Sequence, residues 1–174
     1  VVLKRTAAGG GAGMTPFAWA RRADSQGLET MVVATGQTIN SLDLHRTGTN
    51  RASYQVAINC YDRLVGFGSR QLPTGEMSYD YDTIVPELAE SWTISDDGLV
   101  FTFTLKPDAT FTDGSPVTAA DVKWSFDRAV SVGGFPSTQI RAGGFFRPDQ
   151  FEAVDNQPFV LRLAYPSQLS LPNL

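Results

Sequence analysis

The stretch "ESWTISDDGLVFTFTLK", residues 90–106, most limits what this chain can become. Trp92 and Ile94 share one side before Asp97-Gly98, and Phe101, Phe103 and Leu105 share one side after it. Successive strand side chains point to opposite faces, so this alternation predicts two antiparallel strands joined by a tight turn. Thr102, Thr104 and Lys106 fall on the other face, which makes it the wetter side of the sheet. The aromatic face then needs a second layer to cover it.

A helix follows in "DGSPVTAADVKWSFDRA", residues 113–129. Thr118 and Asp121, three residues apart, can each take up a free amide of the first turn, the pattern of a capping box. Val117 and Val122 are spaced to pack as a hydrophobic staple. Val122, Phe126, Ala129 and Val130 form an apolar face, and Gly133-Gly134 ends the helix. Asp113 and Asp121 could be paired as acid and base, yet a turn before Gly114 and a helix cap account for both. This run is read as scaffold.

Elsewhere the pattern is coarser. Residues 31–34 read as a short buried strand, and residues 52–65 as a helix stopped by Gly66. Residues 68–83 read as a polar surface excursion. "FEAVDNQPFVLRLAYP", residues 151–166, reads as a second hairpin with Phe159, Leu161 and Leu163 on one side. No helix follows it, so that face is expected to lack a cover.

Several function classes are set aside by residue supply. With 174 residues, 42% of them hydrophobic, the chain is long enough for a core, and its net charge of −4 gives no footprint for nucleic acid. The single Cys60 makes no internal disulfide and reads as a small core residue on the helix at 52–65. His45, the one histidine, has only Asp43 near it, so no metal and no cofactor is assigned. No G-x-S-x-G or other nucleophile frame is present, so an enzyme is not expected.

The opening "VVLKRTAAGGGAGMTPFAWARRA" pairs basic residues with small, weakly apolar ones and an A-x-A site at Ala18-Trp19-Ala20. Residues 1–27 are therefore read as the remnant of an export signal, and "VVLK" resembles the tail of a twin-arginine consensus. "GGGAG" lacks the preceding strand and following Gly-Lys of a phosphate loop. A soluble, exported, periplasmic product is expected.

Three segments in fixed order carry a family resemblance: "VVATGQTINSLDLHR", "VPELAESWTISDDGLVFTFTLKPDATFTDGSPVTAADVKWSFDRA" and "FEAVDNQPFVLRLAYP". Together they resemble the N-terminal part of the extracytoplasmic solute-binding proteins of family 5, the peptide, nickel and opine receptors of ABC importers. Leu44 stands where that family often has proline. The resemblance implies a mixed α+β or α/β fold of the type II periplasmic-binding-protein kind, with antiparallel hairpins and covering helices. Residues 28–50 would start lobe I, residues 51–150 form a smaller inserted domain, and residues 151–174 return toward lobe I, with the second lobe missing.

By position, Thr47, Gly48, Thr49 and Asn50 resemble a loop that approaches the bound ligand, and Phe135 resembles an aromatic that faces it. As residues alone, the loop could equally be a solvated turn before a helix cap, and Phe135 an aromatic in a glycine-rich loop. The implied function is to bind an oligopeptide or similar small solute and deliver it to an ABC permease. An exported hydrolase and a receptor-like sensor are the alternatives.

Overall fold

The structure, a computed structural model, describes residues 36–155, 157–167 and 171, with the backbone of two short strands before them. It divides into two compact units, Val1–Thr38 and Ile39–Leu174. In the first, β1 (Leu3–Lys4) pairs antiparallel with β2 (Thr30–Met31). The rest of the expected export signal, and residues 32–34 of the expected strand, lie outside the described residues.

The second unit opens with a turn-rich segment, residues 39–50, and helix α1 (Arg51–Cys60), capped by the Asn50 side chain. Strands β3 (Val65–Gln71) and β4 (Met77–Pro86) form an antiparallel pair of their own. Then come β5 (Ala89–Ile94), β6 (Val100–Leu105), α2 (Ala119–Val132), α3 (Phe135–Ala142), β7 (Phe151–Ala153) and β8 (Pro158–Arg162). The last four strands make one antiparallel sheet in the order β5-β6-β8-β7.

Register explains the core of this sheet. Trp92 lies opposite Phe103 and Phe103 opposite Phe159, while Phe101 and Phe151 both lie opposite Leu161. Directly opposed residues on one face touch, so these rows form a continuous apolar surface. Helix α2 lies across it: the Phe126 ring stacks on Phe159 with centroids 5.2 Å apart and meets Phe151 at 5.3 Å. Phe103, Leu105, Phe145, Phe159 and Leu161 are fully buried as a result. Burial of each such side chain is worth roughly 1.5–3 kcal/mol, which makes this layer the main source of stability.

The capped helix forms as its sequence predicts. Asp121 Oδ2 accepts from Thr118 N at 2.9 Å, and Thr118 Oγ1 accepts from Asp121 N at 3.4 Å. Gly133 ends α2 with φ 78°, the left-handed conformation that glycine adopts without a Cβ clash.

Other expectations fail for identifiable reasons. The first helix stops at Cys60, because Leu64 and Val65 leave the helical frame to enter the core at the start of β3. Cys60, expected in the core, is exposed. The supposed excursion at 68–83 is mostly the β3–β4 ladder, whose outward Met77, Tyr79 and Tyr81 hide it from a core-based reading. Phe135 opens helix α3 instead of sitting in a loop, with Pro136 in its first turn. The face of Phe159, Leu161 and Leu163 is covered after all, since its helix, α2, comes earlier in the chain.

Candidate functional site

Residues 39–50 are folded by a knot of polar side chains. Ser53 is fully buried, and its Oγ accepts the N–H groups of Asn40 and Ser41, each at 3.2 Å. Asn40 reaches across the loop: its Nδ2 donates to Gly48 O at 2.9 Å and its Oδ1 accepts from Asn50 N at 3.0 Å. Thr49 Oγ1 lies 2.9 Å from the carbonyls of both Asp43 and Arg46. Gly48, with φ 84°, makes the sharp reversal between them.

A second tie fastens the same segment to α2. Asp43 Oδ1 accepts from Arg128 Nη1 at 2.7 Å and Asp43 Oδ2 accepts from Arg128 Nη2 at 2.6 Å, a two-pronged contact. Oδ1 of this carboxylate also accepts His45 N at 3.1 Å. The Arg128 guanidinium lies 5.7 Å over the Trp124 ring, within cation–π range. Its hydrogen bonds hold the Asp43 carboxyl below the ordinary carboxylate range, against a smaller opposing effect of burial. Burial, helped by the charge of Arg128, pushes the His45 imidazole down, which favours its neutral form.

Aromatic side chains complete the arrangement. Tyr54 Oη donates to Leu44 O at 3.2 Å and Tyr61 Oη donates to Leu42 O at 3.0 Å. Tyr54 meets Phe135 edge to face, with centroids 5.6 Å apart. An open cavity of about 520 Å³ lies beside them, lined mainly by apolar groups that include Leu44, His45, Tyr54, Ile58, Phe67 and Phe135.

Of the residues named from sequence, Phe135 therefore lines the cavity and remains largely exposed. Thr47, Gly48, Thr49 and Asn50 lie outside that lining, on the loop that continues from His45. Thr47 and Gly48 are exposed, and Asn50 caps α1. The sequence carries no signal for the roles of Tyr54, His45 and Arg128: Tyr54 lies unremarked in the helix read at 52–65, His45 is weighed above only as a metal ligand, and no local spacing links Asp43 to Arg128.

The chemistry on offer is contact surface. Among the described residues, no group of three or more His, Cys, Asp or Glu is placed to hold a metal ion. Asp113, set aside above as a catalytic group, accepts from Ser115 N at 2.9 Å and Ser115 Oγ at 2.7 Å, so it ties its own turn. Among the described residues, no helix is long and apolar enough to cross a membrane.

Solved structures share this arrangement of strands and helices. The Escherichia coli murein tripeptide binding protein MppA is 29% identical, with a TM-score of 0.54, and 74% of this chain covers 25% of it. The PBP AgaA of A. tumefaciens R10, solved with agropinic acid, is 30% identical with a TM-score of 0.58, and 77% of this chain covers 24% of it. The class defined is the type II periplasmic binding protein, represented here by part of its fold.

The family described as bacterial extracellular solute-binding proteins, family 5 Middle, matches residues 83–174. This chain belongs to that family. Among curated proteins, the glutathione-binding protein GsiB of Pectobacterium atrosepticum is 34% identical over 145 residues, which is 82% of this chain and 25% of that protein. The chain thus spans about a quarter of the length of GsiB of Pectobacterium atrosepticum and of MppA.

Proposed function

We propose that this chain supplies one side of the solute-binding cleft of an ABC importer's periplasmic receptor, and that the solute is a small peptide or a related amino-acid derivative. The observation that carries the reading is the exposed Phe135 on the rim of an open apolar cavity, beside a loop tied down at both ends. A surface of this kind can contact a solute from one side only. The opposing contacts would come from a second lobe, and closure over the solute would signal the loaded state to the permease. The relatives support the solute class, being named for glutathione and a murein tripeptide or solved with agropinic acid.

In this reading Thr47, Gly48, Thr49 and Asn50 present the loop backbone to the solute and Phe135 presents an aromatic face. Residues 28–50 then belong to the start of lobe I, residues 51–150 to the smaller domain inserted in it, and residues 151–174 to the return toward lobe I, whose strand β8 pairs with β6. The protein binds its solute and releases it unchanged.

Calorimetric titration of the complete gene product with glutathione and with di- and tripeptides tests the proposal. One-to-one binding is expected, weakened roughly tenfold by Phe135→Ala, about the effect of losing 1.4 kcal/mol of contact. Mass spectrometry of the recovered solute should show it intact. No binding of any of these solutes, or steady conversion of one of them, refutes the proposal.

A further inference from the structure

We propose that Arg128 is a positioning residue for this site: through its ion pair with Asp43 it fixes the spacing between the loop that carries Thr47, Gly48, Thr49 and Asn50 and the aromatic Phe135. The inference rests on the reading of those five residues as solute-facing.

The geometry forms a closed ring. Arg128 on α2 grips Asp43 by two bonds of 2.7 and 2.6 Å, and the Asp43 carboxylate also holds His45 N at 3.1 Å. Five residues on, α2 ends at Gly133, and Gly134 leads directly into Phe135. Gly134 returns to the same loop: a Cβ placed on it would lie 2.4 Å from His45 O and 3.0 Å from His45 C. The path from Arg128 to Asp43 and His45 runs through hydrogen bonds, and it returns through the close backbone approach of Gly134 to His45 and along α2. The guanidinium also lies over the Trp124 ring, an additional contact for Arg128.

The far end of the loop is fixed separately by Asn40, which bonds both Gly48 O and Asn50 N. With both ends held, the loop meets a solute already ordered, and binding does not bear the cost of ordering it. Arg128 and Asp43 are themselves partly exposed, with side chains 28% and 41% accessible. Ion pairs this exposed add little to global stability, so their loss should be felt in binding before it is felt in folding.

The test compares Arg128→Ala, Arg128→Lys, Asp43→Asn and Phe135→Ala in the complete gene product. Affinity is read by calorimetry with glutathione and a tripeptide, stability by the urea midpoint, and loop order by amide hydrogen exchange over residues 43–50 without solute. Arg128→Ala is expected to weaken binding about tenfold, to speed exchange in that segment alone, and to leave the midpoint nearly unchanged. Arg128→Lys, which keeps one charged bond, should recover part of the affinity. Asp43→Asn keeps the shape of the pair and reports the same loss if Arg128→Ala folds poorly.

Unaltered exchange at 43–50 in both Arg128→Ala and Asp43→Asn overturns the proposal with or without a solute. Wild-type affinity in those two variants, while Phe135→Ala is weakened, overturns the positioning role and leaves the site reading intact. Wild-type affinity in Phe135→Ala overturns the site reading itself. Loss of affinity together with a matching fall in midpoint and faster exchange throughout the sheet reduces Arg128 to a structural residue.

Discussion

Replacing Gly134 by alanine sets three effects against each other, and the structure says which wins. The backbone at Gly134 has φ −70° and ψ −176°, open to any residue, so alanine meets no conformational strain. Restricting the unfolded chain would stabilise the variant by about 0.4–1 kcal/mol. Gly134 is also the N-cap of α3, where alanine is disfavoured, a cost of about 0.5–1 kcal/mol that offsets the first term. What remains is the new methyl group, 2.4 Å from His45 O and 3.3 Å from Arg46 C. These are backbone atoms held by Asp43 and Thr49, and no side-chain rotation clears them. Forcing a methyl group into such a place costs roughly 1–3 kcal/mol, so this is the expected net loss.

Equilibrium urea unfolding reads this directly. With a slope of about 1–3 kcal/mol per molar, typical of small proteins, the midpoint should fall by roughly 1 M at constant slope. Gly133→Asn is the control. Gly133 has φ 78° with open space where a Cβ would stand, so asparagine, which tolerates that conformation, should cost little. Gly134→Asn regains the cap that alanine lacks but keeps the same Cβ clash, so it should still cost clearly more than Gly133→Asn. An unchanged midpoint for Gly134→Ala, or equal losses for Gly133→Asn and Gly134→Asn, would refute the close approach of α3 to the loop.

Four further outcomes follow from the same contacts. Thr118→Ala should lower the unfolding free energy by about 1 kcal/mol through loss of the α2 cap, measured by the same urea titration. Phe159→Ala, at a fully buried ring under Phe126, should cost about 3–5 kcal/mol, and a loss below 1 kcal/mol would contradict the α2 cover. Cys60 should react with a thiol reagent in the native protein about as fast as in urea, because it is exposed. The Asp43 carboxyl should titrate below 3.8 by carbon NMR, and its midpoint should rise in Arg128→Ala. Because its folded value is depressed, its contribution is complete above about pH 4 and is lost only as pH falls through that lower value.

Legibility from sequence followed how local each signal is. The β5–β6 hairpin and the capped helix were readable because strand alternation, Asp97-Gly98, Thr118 and Asp121 all act within a few residues. The β3–β4 pair was not, since Gly66, Gly68 and Ser69 break the alternation of one strand and tyrosines face outward from the other. α3 was missed because Gly133-Gly134 reads as a stop, although Pro136 is a legitimate first-turn residue. For the site, the loop and Phe135 are proposed from resemblance, while the tie between Asp43 and Arg128, 85 residues apart, is visible only after folding.

The strand order β5-β6-β8-β7 also sets a timetable for synthesis. β6 is completed at Leu105, but the strand that fills the place beside it begins only at Pro158. At roughly 5–20 residues per second, a ribosome leaves that edge open for some seconds. During this interval Phe101 and Phe103 have neither β8 beside them nor a finished layer above, and an open strand edge is a template for pairing with another chain. This sheet is therefore most vulnerable to aggregation just before β8 arrives, and a message broken between α3 and β8 would yield a product more hazardous than one broken before β5.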